Sequence, residues 1–473
     1  MNMITFDSST LKRFFDENIE FLTNARLQKI QQPTRREFIL TLRNMGMSKK
    51  LYINITPQFY HICFMSKENE EKRLIEIPKQ PPMFCMLLRK YLENSRICKI
   101  NQPKYERILE FYIETYNEIS EKIYLCLAVE LMGKHSNIIL YNCDTSIIIG
   151  CAHNVGSEKS REREVLGGIP YIYPPHHSND WYSGPSSLSL LQGNINNAID
   201  EYFAQQIAHD KFVKMQDKYK QIIQKKLNKL ENSIQKISCK HQTIEKTDTY
   251  RLWGDLIMAN LYNNKDYVNS VNVFDYKNNK NISIKLDNTK TLKENATYFY
   301  KLYNKSKNTN NKIIELTEQL KQDLQYNSQL LYSINRATSI KDLSEITFEI
   351  EPEKKVEKPL KTSIEPIKLT GENYIIWIGK NNKQNDYIIS KLAKDEDYWF
   401  HTKDCAGSHV LLRCEKISNE LILKCCNLAK ENSSGAKSSK IGVIYTKAKY
   451  LKKPPKANLG YVIYSNEEEI IID

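Results

Sequence analysis

Apolar residues recur near a 3.6-residue period from Thr10 to Leu22, at Leu11, Phe14, Phe15, Ile19 and Leu22, and predict an amphipathic helix. The period then shortens to two. Residues 37–43 (EFILTLR) and 50–55 (KLYINI) alternate as half-buried strands do, and 123–129 (IYLCLAV) is a more continuous apolar run. Residues 136–141 and 145–149 flank the turn triplet Asn142-Cys143-Asp144 and predict a hairpin. Pro81 and Pro82 lead into an apolar segment, Cys85 to Leu92, that reads as a helix entered through proline. Residues 1–180 therefore predict an α/β domain, ending in a Pro-, His-, Ser- and Gly-rich stretch from Ile169 to Pro185.

Between residues 195 and 345 the pattern becomes helical. Ile223, Leu227, Leu230, Ile234, Ile237 and Ile244 advance as a heptad seam, and Ile313, Leu316, Leu320, Leu324, Leu331 and Ile334 form a second. Together they predict an antiparallel coiled-coil hairpin. The more globular stretch between them holds short strands at 267–276 and 281–286. Residues 346–366 read as a Pro/Lys/Glu linker, and 367–473 as a small α/β module. The fold class is multidomain α+β, and no internal repeat is read in the chain.

Composition narrows the function classes. The formal charge of +13 favours a polyanionic partner once the lysines cluster. They do: residues 211–240 hold nine lysines against Asp217 and Glu231, and 436–456 hold seven with no acid. The eleven cysteines form no CxxC pair, so neither a zinc site of ordinary spacing nor a disulfide framework is expected. No stretch is apolar for the ~18 residues a membrane span needs, and the first residues lack an apolar export segment. The expectation is a cytoplasmic protein with no membrane partner, cofactor or metal.

Three patches carry candidate chemistry. In 101–111 (NQPKYERILEF), Glu106 and Arg107 set an anion beside a cation; in a strand they point to opposite faces and are hard to pair with each other. A solvated strand end is the blander reading. In 130–137 (ELMGKHSN), a glycine before Lys134, His135, Ser136 and Asn137 offers a tight turn with several donors, suited to a phosphate or simply to its own backbone. In 397–413, the aromatics Tyr398, Trp399 and Phe400 stand beside His401, Lys403, Asp404, Gly407, Ser408, His409 and Arg413. Cations interleaved with stacking surfaces suit RNA. Lys437, Lys440, Lys452 and Lys453 extend that patch. No catalytic nucleophile constellation is found.

Taken together, PPMFCMLLRKYLE (81–93), YERILEF (105–111), ELMGKHSNIIL (130–140), RLWGDLIMANLY (251–262), ENATYFYKLYNKSK (294–307), IGKNNKQNDYI (378–388) and DYWFHTKDCAGSHVLLR (397–413) resemble the NFACT family. That family includes proteins described as fibronectin-binding A and the RqcH-type quality-control factors. The resemblance implies a first domain folded like formamidopyrimidine-DNA glycosylase, without glycosylase chemistry, and a coiled-coil arm that reaches a stalk-base ribosomal protein. It also implies a C-terminal RNA-binding domain. The implied activity is not enzymatic. The factor binds a large (50S) ribosomal subunit obstructed by peptidyl-tRNA and recruits alanyl-tRNA. The ribosome then adds alanine to the stalled chain without mRNA. An S4-like RNA-binding co-factor is a further implied partner.

By position, the resemblance assigns tRNA binding to Asp7, Glu106, Arg107, Lys134, His135, Ser136 and Asn137. It assigns RNA binding to Trp399, His401, Lys403, Asp404, Gly407, Ser408, His409 and Arg413, with the lysines above. Two departures stand out. Glu106 replaces the family's aspartate, one methylene longer. Between Tyr182 and Glu201 there is no room for the helix-hairpin-helix domain that many members carry. The alternative function, a fibronectin-binding surface adhesin, finds no export signal or anchor in the sequence.

Overall fold

The computed structural model describes every residue except 1–4, 118, 176–179, 183–186, 191, 243–246, 264–265, 276–277, 352–364, 456 and 473. By packing, the chain separates into two compact units, Met1–Val213 and Lys214–Asp473.

In the first unit, helix α1 (Ser8–Leu22) starts at Asp7, whose carboxylate accepts from the Thr10 N–H at 2.9 Å. The cap satisfies one of the donors that a helix N-terminus leaves orphaned. Strands β1 (Arg26–Thr34), β2 (Glu37–Asn44), β3 (Met47–Asn54) and β4 (His61–Met65) follow, then helices α2 (Lys67–Arg73) and α3 (Met83–Leu92). Strands β5 (Arg96–Asn101), β6 (Ile108–Tyr116), β7 (Lys122–Glu130), β8 (Asn137–Asn142) and β9 (Ile148–Cys151) complete an antiparallel sheet of nine described strands. Its order is β4-β3-β2-β1-β5-β6-β7-β8-β9. One face packs on Leu11, Phe14 and Leu22 of α1 and on Cys85, Leu88 and Leu92 of α3. Each of these leucine and phenylalanine side chains contributes about 1.5–3 kcal/mol on burial. The other face is covered by Val165 and Tyr171, so the stretch read as a boundary begins as sheet cover; its residues 176–179 and 183–186 lie outside the described set.

The structure overturns the expectation of no repeat. FLTNARLQKIQQP (21–33) and YLENSRICKINQP (91–103) are the same helix-to-strand junction used twice. Asn24 and Asn94 both leave their helix in the left-handed region (φ 65° and 66°), which asparagine tolerates. Arg26 pairs with Arg96 across the β1–β5 seam. The Asn24 N–H donates to the Ile97 carbonyl and the Asn94 N–H to the Leu27 carbonyl, both at 2.8 Å. Matching register shifts fall at Leu27/Lys29 and Ile97/Lys99. The seam is therefore a pseudo-two-fold axis relating α1-β1-β2-β3 to α3-β5-β6-β7.

Helix α4 (Ile195–Gln242) leaves the first unit on a buried charge network. Asp200 accepts from Arg73 Nη1 (2.6 Å), Asn69 Nδ2 (2.8 Å) and the Ser66 N–H (3.0 Å).

In the second unit follow α5 (Thr247–Ala259), the hairpin β10 (Ser270–Asp275) and β11 (Lys280–Lys285), α6 (Leu292–Arg336) and α7 (Ile340–Ile350). Gln216 on α4 donates to the Ile334 carbonyl near the end of α6, while Thr247 lies 2.5 Å from Ser306 nearer its start, so the two long helices run antiparallel. Their contact is looser than a continuous heptad seam. Ile223 and Leu227 are buried, Leu230, Ile234 and Ile237 half-buried and Leu316 exposed, and Ile244 lies outside the described residues. Of the expected linker 346–366, residues 346–350 continue α7, because Ile346 and Ile350 are buried; 352–364 are not described.

The C-terminal part builds β12 (Ile367–Thr370), β13 (Tyr374–Ile378), α8 (Asn382–Tyr387), β14 (Tyr398–Thr402), β15 (Val410–Cys414), α9 (Asn419–Glu431), β16 (Ile441–Lys447), the short pair β17 (Leu451–Lys452) and β18 (Ile463–Tyr464), and β19 (Glu468–Ile472). Its antiparallel sheet runs β12-β13-β15-β14-β16-β19. Both faces are covered. Phe400, Leu412 and Val443 meet Ile422, Cys425 and Cys426 of α9, while Trp377, Trp399 and Leu411 pack with Ile388 on the opposite side.

Candidate nucleic-acid interface

At one end of the nine-stranded sheet, loops from both repeats border a cleft of about 1380 Å³. A small-molecule site typically spans about 300–1,000 Å³, so this one has room for part of a polymer. All seven first-domain candidates line it: Asp7, Glu106, Arg107, Lys134, His135, Ser136 and Asn137.

They do different things there. Glu106 and Arg107 precede β6 instead of lying in a strand, on a loop where Tyr105 takes a left-handed turn (φ 68°). Opposed strand faces are therefore not what separates them. Lys134 and His135 sit exposed on a single 3-10 turn, opened by Gly133 in the left-handed region (φ 64°) that glycine enters without cost. Ser136 and Asn137 are buried. The Ser136 hydroxyl accepts from the Met132 N–H (2.9 Å), and Asn137 clamps His153 by donating to its carbonyl (2.8 Å) and accepting from its N–H (3.0 Å). These two shape the turn, and their polar atoms are spent on backbone. Asp7 is likewise a buried helix cap.

The sequence reading missed Arg35, Arg36, Tyr60, His153 and Lys159, which line the same cleft. Burial, then the charges of Arg36, Arg35 and Lys159, pull His153 below its ordinary pKa, which marks this wall as electropositive. The signal available was the PTRRE turn (33–37) leading into the strand expected at 37–43. A neighbouring cation, Arg163, is ion-paired with the buried Glu130, whose pKa burial pushes up.

The second set of candidates is rearranged more strongly. Trp399 is 1% exposed and Phe400 fully buried, so neither offers a stacking platform; alternation along β14 turns both into the two cores of the sheet. His409 is buried against the rings of Trp399 and His401. Arg413 makes a two-pronged pair with Asp397 (2.9 and 2.6 Å) and lies 4.8 Å from the Trp377 ring, a structural use of its charge. Ser408 is buried, and the Gly407 N–H donates to Gln329 Oε1 of α6 at 2.6 Å, tying the sheet to the long helix. What remains at the surface is Lys403, paired with Glu469, with Asp404, Lys437, Lys440, Lys452 and Lys453, the last paired with Asp386.

A family model described as the NFACT N-terminal and middle domains matches residues 7–189 and 187–364, and one described as the NFACT protein RNA binding domain matches 367–464. The Rqc2 homolog RqcH of Bacillus subtilis (strain 168) is 27% identical over 567 aligned positions, covering 99% of this chain and 98% of that protein. The Rqc2 homolog RqcH of Streptococcus pneumoniae serotype 2 (strain D39 / NCTC 7466) is 26% identical over 548 positions, covering 99% and 97%. Among solved structures, the N-terminal part of the fibronectin/fibrinogen-binding protein from Streptococcus suis is 37% identical over 37% of this chain and 62% of that chain, with a TM-score of 0.34. Both alignments are longer than this 473-residue chain, and the two segments matched by the first family model meet at 187–189. The relatives thus carry residues that have no counterpart in this chain. Among the described residues, no helix is long and apolar enough to cross a membrane.

Proposed function

The chain belongs to the NFACT family, and from that premise we propose that it is a ribosome quality control factor. It binds a large (50S) subunit obstructed by peptidyl-tRNA and recruits alanyl-tRNA, so that the ribosome extends the stalled chain with alanine in the absence of mRNA. One observation carries the tRNA reading: Glu106, Arg107, Lys134 and His135, from separate loops, converge on a single cleft with Arg35, Arg36 and Lys159. A polyanion is the ligand such a surface attracts.

In this reading the chain is a binding factor, not an enzyme. Arg107, Lys134 and His135 contact the tRNA directly, while Asp7, Ser136 and Asn137 hold the loops in shape. Glu106 supports the choice of tRNA, with one methylene more than the family's aspartate. The α4–α6 arm reaches the stalk-base protein. The exposed lysines of the C-terminal domain, Lys437, Lys440 and Lys452 among them, meet ribosomal RNA, and an S4-like factor joins on the subunit. The setting is the cytoplasm.

The test is co-sedimentation of the protein with large subunits after stalling is induced, sequencing of the bound tRNA, and mass spectrometry of tails on stalled chains. Alanine tails that vanish when the gene is deleted are the expected result. Absence of the protein from the large-subunit fraction would overturn the reading.

A further inference from the structure

The pseudo-two-fold axis reaches into the cleft. Gln32-Pro33 and Gln102-Pro103 close the two repeated junctions, and each glutamine braces the loop after it: Gln32 Nε2 donates to the Arg35 carbonyl (3.4 Å) and Gln102 Nε2 to the Glu106 carbonyl (2.8 Å). In both, Oε1 is buried without a hydrogen-bond partner. The strand registers fix the equivalence. Gln31 pairs with Ile39 in the first repeat and Asn101 with Glu110 in the second, which makes Arg36 the counterpart of Arg107 and Arg35 the counterpart of Glu106. Tyr105 is the extra residue of the second loop.

Both loops line the cleft. Neither Arg35 nor Arg36 lies in an ion pair among the described residues, and Arg35 is exposed in a two-residue turn. The two loops differ in charge at two equivalent positions, Thr34 against Lys104 and Arg35 against Glu106, and of these the second pair lines the cleft. Where the second loop carries the Glu106 carboxylate, the first carries the Arg35 guanidinium. A phosphodiester approaching Glu106 meets a like charge; approaching Arg35 and Arg36 it meets two cations in the planar geometry that grips phosphate.

We propose that the β1–β2 loop, through Arg35 and Arg36, is a second RNA-gripping loop of this cleft, the internal duplicate of the Glu106–Arg107 loop, and that it holds backbone phosphate without regard to sequence. The inference rests on the tRNA reading above and divides the labour within that site. The duplicate supplies affinity, and the loop that acquired an acid supplies choice. Burial and the charges of Arg36, Arg35 and Lys159 lower the His153 pKa, so the positive charge of this wall comes from the arginines and the lysine.

The experiment uses the full chain and an unmodified tRNA transcript, with affinity measured by fluorescence anisotropy across a salt series. The double variant Arg35→Gln/Arg36→Gln is expected to bind every tRNA about tenfold more weakly, with a log–log salt slope shallower by about 0.7 for each phosphate no longer neutralised. Arg36→Lys, which keeps the charge, recovers part of the affinity. Glu106→Gln leaves the slope unchanged and alters the ratio of affinities between tRNAs. Unaltered circular dichroism shows that the fold survives; Arg35→Gln alone, at an exposed turn, gives the same direction of change should the double variant unfold. Wild-type binding with an unchanged affinity and slope in the double variant overturns this inference and leaves the tRNA reading standing. No tRNA binding by the wild type overturns both. Displacement of tRNA by polyglutamate as readily as by RNA of equal charge assigns the wall to an acidic protein and also overturns it.

Discussion

Arg107 leans on Tyr60: its Nη1 lies 3.3 Å from the tyrosine hydroxyl and its guanidinium carbon 5.8 Å from the ring centroid. The contact holds a cation in one orientation at the cleft. Arg107→Glu is expected to abolish tailing while co-sedimentation with large subunits stays within about twofold, because the C-terminal lysines are untouched. Tyr60→Ala removes the support but not the charge. A cation–π contact worth about 0.5–1 kcal/mol predicts a roughly two- to fivefold loss of tRNA affinity, and Tyr60→Phe a smaller one. A Tyr60→Ala variant that binds as the wild type would refute the positioning role.

The root of α4 predicts a stability effect. The Arg73 side chain is 0% and the Asp200 side chain 3% exposed, and Asp200 accepts from Arg73, Asn69, the Ser66 N–H and the Cys63 thiol, bonds that tie α2 and β4 to the helix. Removing one partner of such a pair leaves an uncompensated buried charge, at a cost of about 3–5 kcal/mol. Asp200→Ala should lower the urea midpoint of the first unit accordingly, and Asp200→Asn, which keeps acceptors but not the charge, by less. A change under about 1 kcal/mol in the alanine variant would mean that the network relaxes into water.

In the C-terminal domain, fold and binding should be separable. Trp399→Ala opens a cavity on the core side opposite α9 and is expected to destabilise by about 3–5 kcal/mol. Its effect on RNA binding should follow its effect on folding. Lys437→Glu with Lys440→Glu should weaken RNA binding with the melting temperature unchanged, since both lysines are exposed. Loss of RNA binding by a fully folded Trp399→Ala protein would restore the stacking role first expected of that residue.

Two neutral histidines predict an acid sensitivity. Burial pushes His401 down to about 4 and His409 well below its ordinary value, with the His401 charge adding to the latter. As pH falls below the unfolded value near 6.5, the unfolded chain takes up protons that the folded one refuses, at His401 until about pH 4, so stability is full above 6.5 and drains away as pH falls from there. The slope is at most about 1.4 kcal/mol per pH unit for each histidine. Urea unfolding at pH 7 and pH 5 checks it, with His409→Gln flattening the dependence. An equal drop in wild type and variant assigns the acid lability to carboxylates instead.

Local elements were legible wherever one periodicity dominated. The helix expected from Thr10 runs over Ser8–Leu22, and the strands expected at 37–43 and 123–129 run over Glu37–Asn44 and Lys122–Glu130. The hairpin around Asn142 forms because its side-chain oxygen accepts from the Asp144 and Thr145 N–H groups. The helix α5 was not read from its pattern, since Tyr250, Trp253 and Leu256 pack against Phe299 and neighbours of α6 in a cluster that only the hairpin creates.

The sequence by itself determined the family, those elements with one dominant period and seven of the residues that line the cleft, because hydrophobic period, turn chemistry and charge are local quantities. Exposure was left to the tertiary structure. Trp399 and Arg413 carry the chemistry of RNA binding in their composition, yet a sheet covered on both faces buries the one and an aspartate occupies the other. The repeat, too, became visible only when Arg26 was found opposite Arg96, since a duplicated fold must keep its junctions and registers but is free to change nearly everything between them.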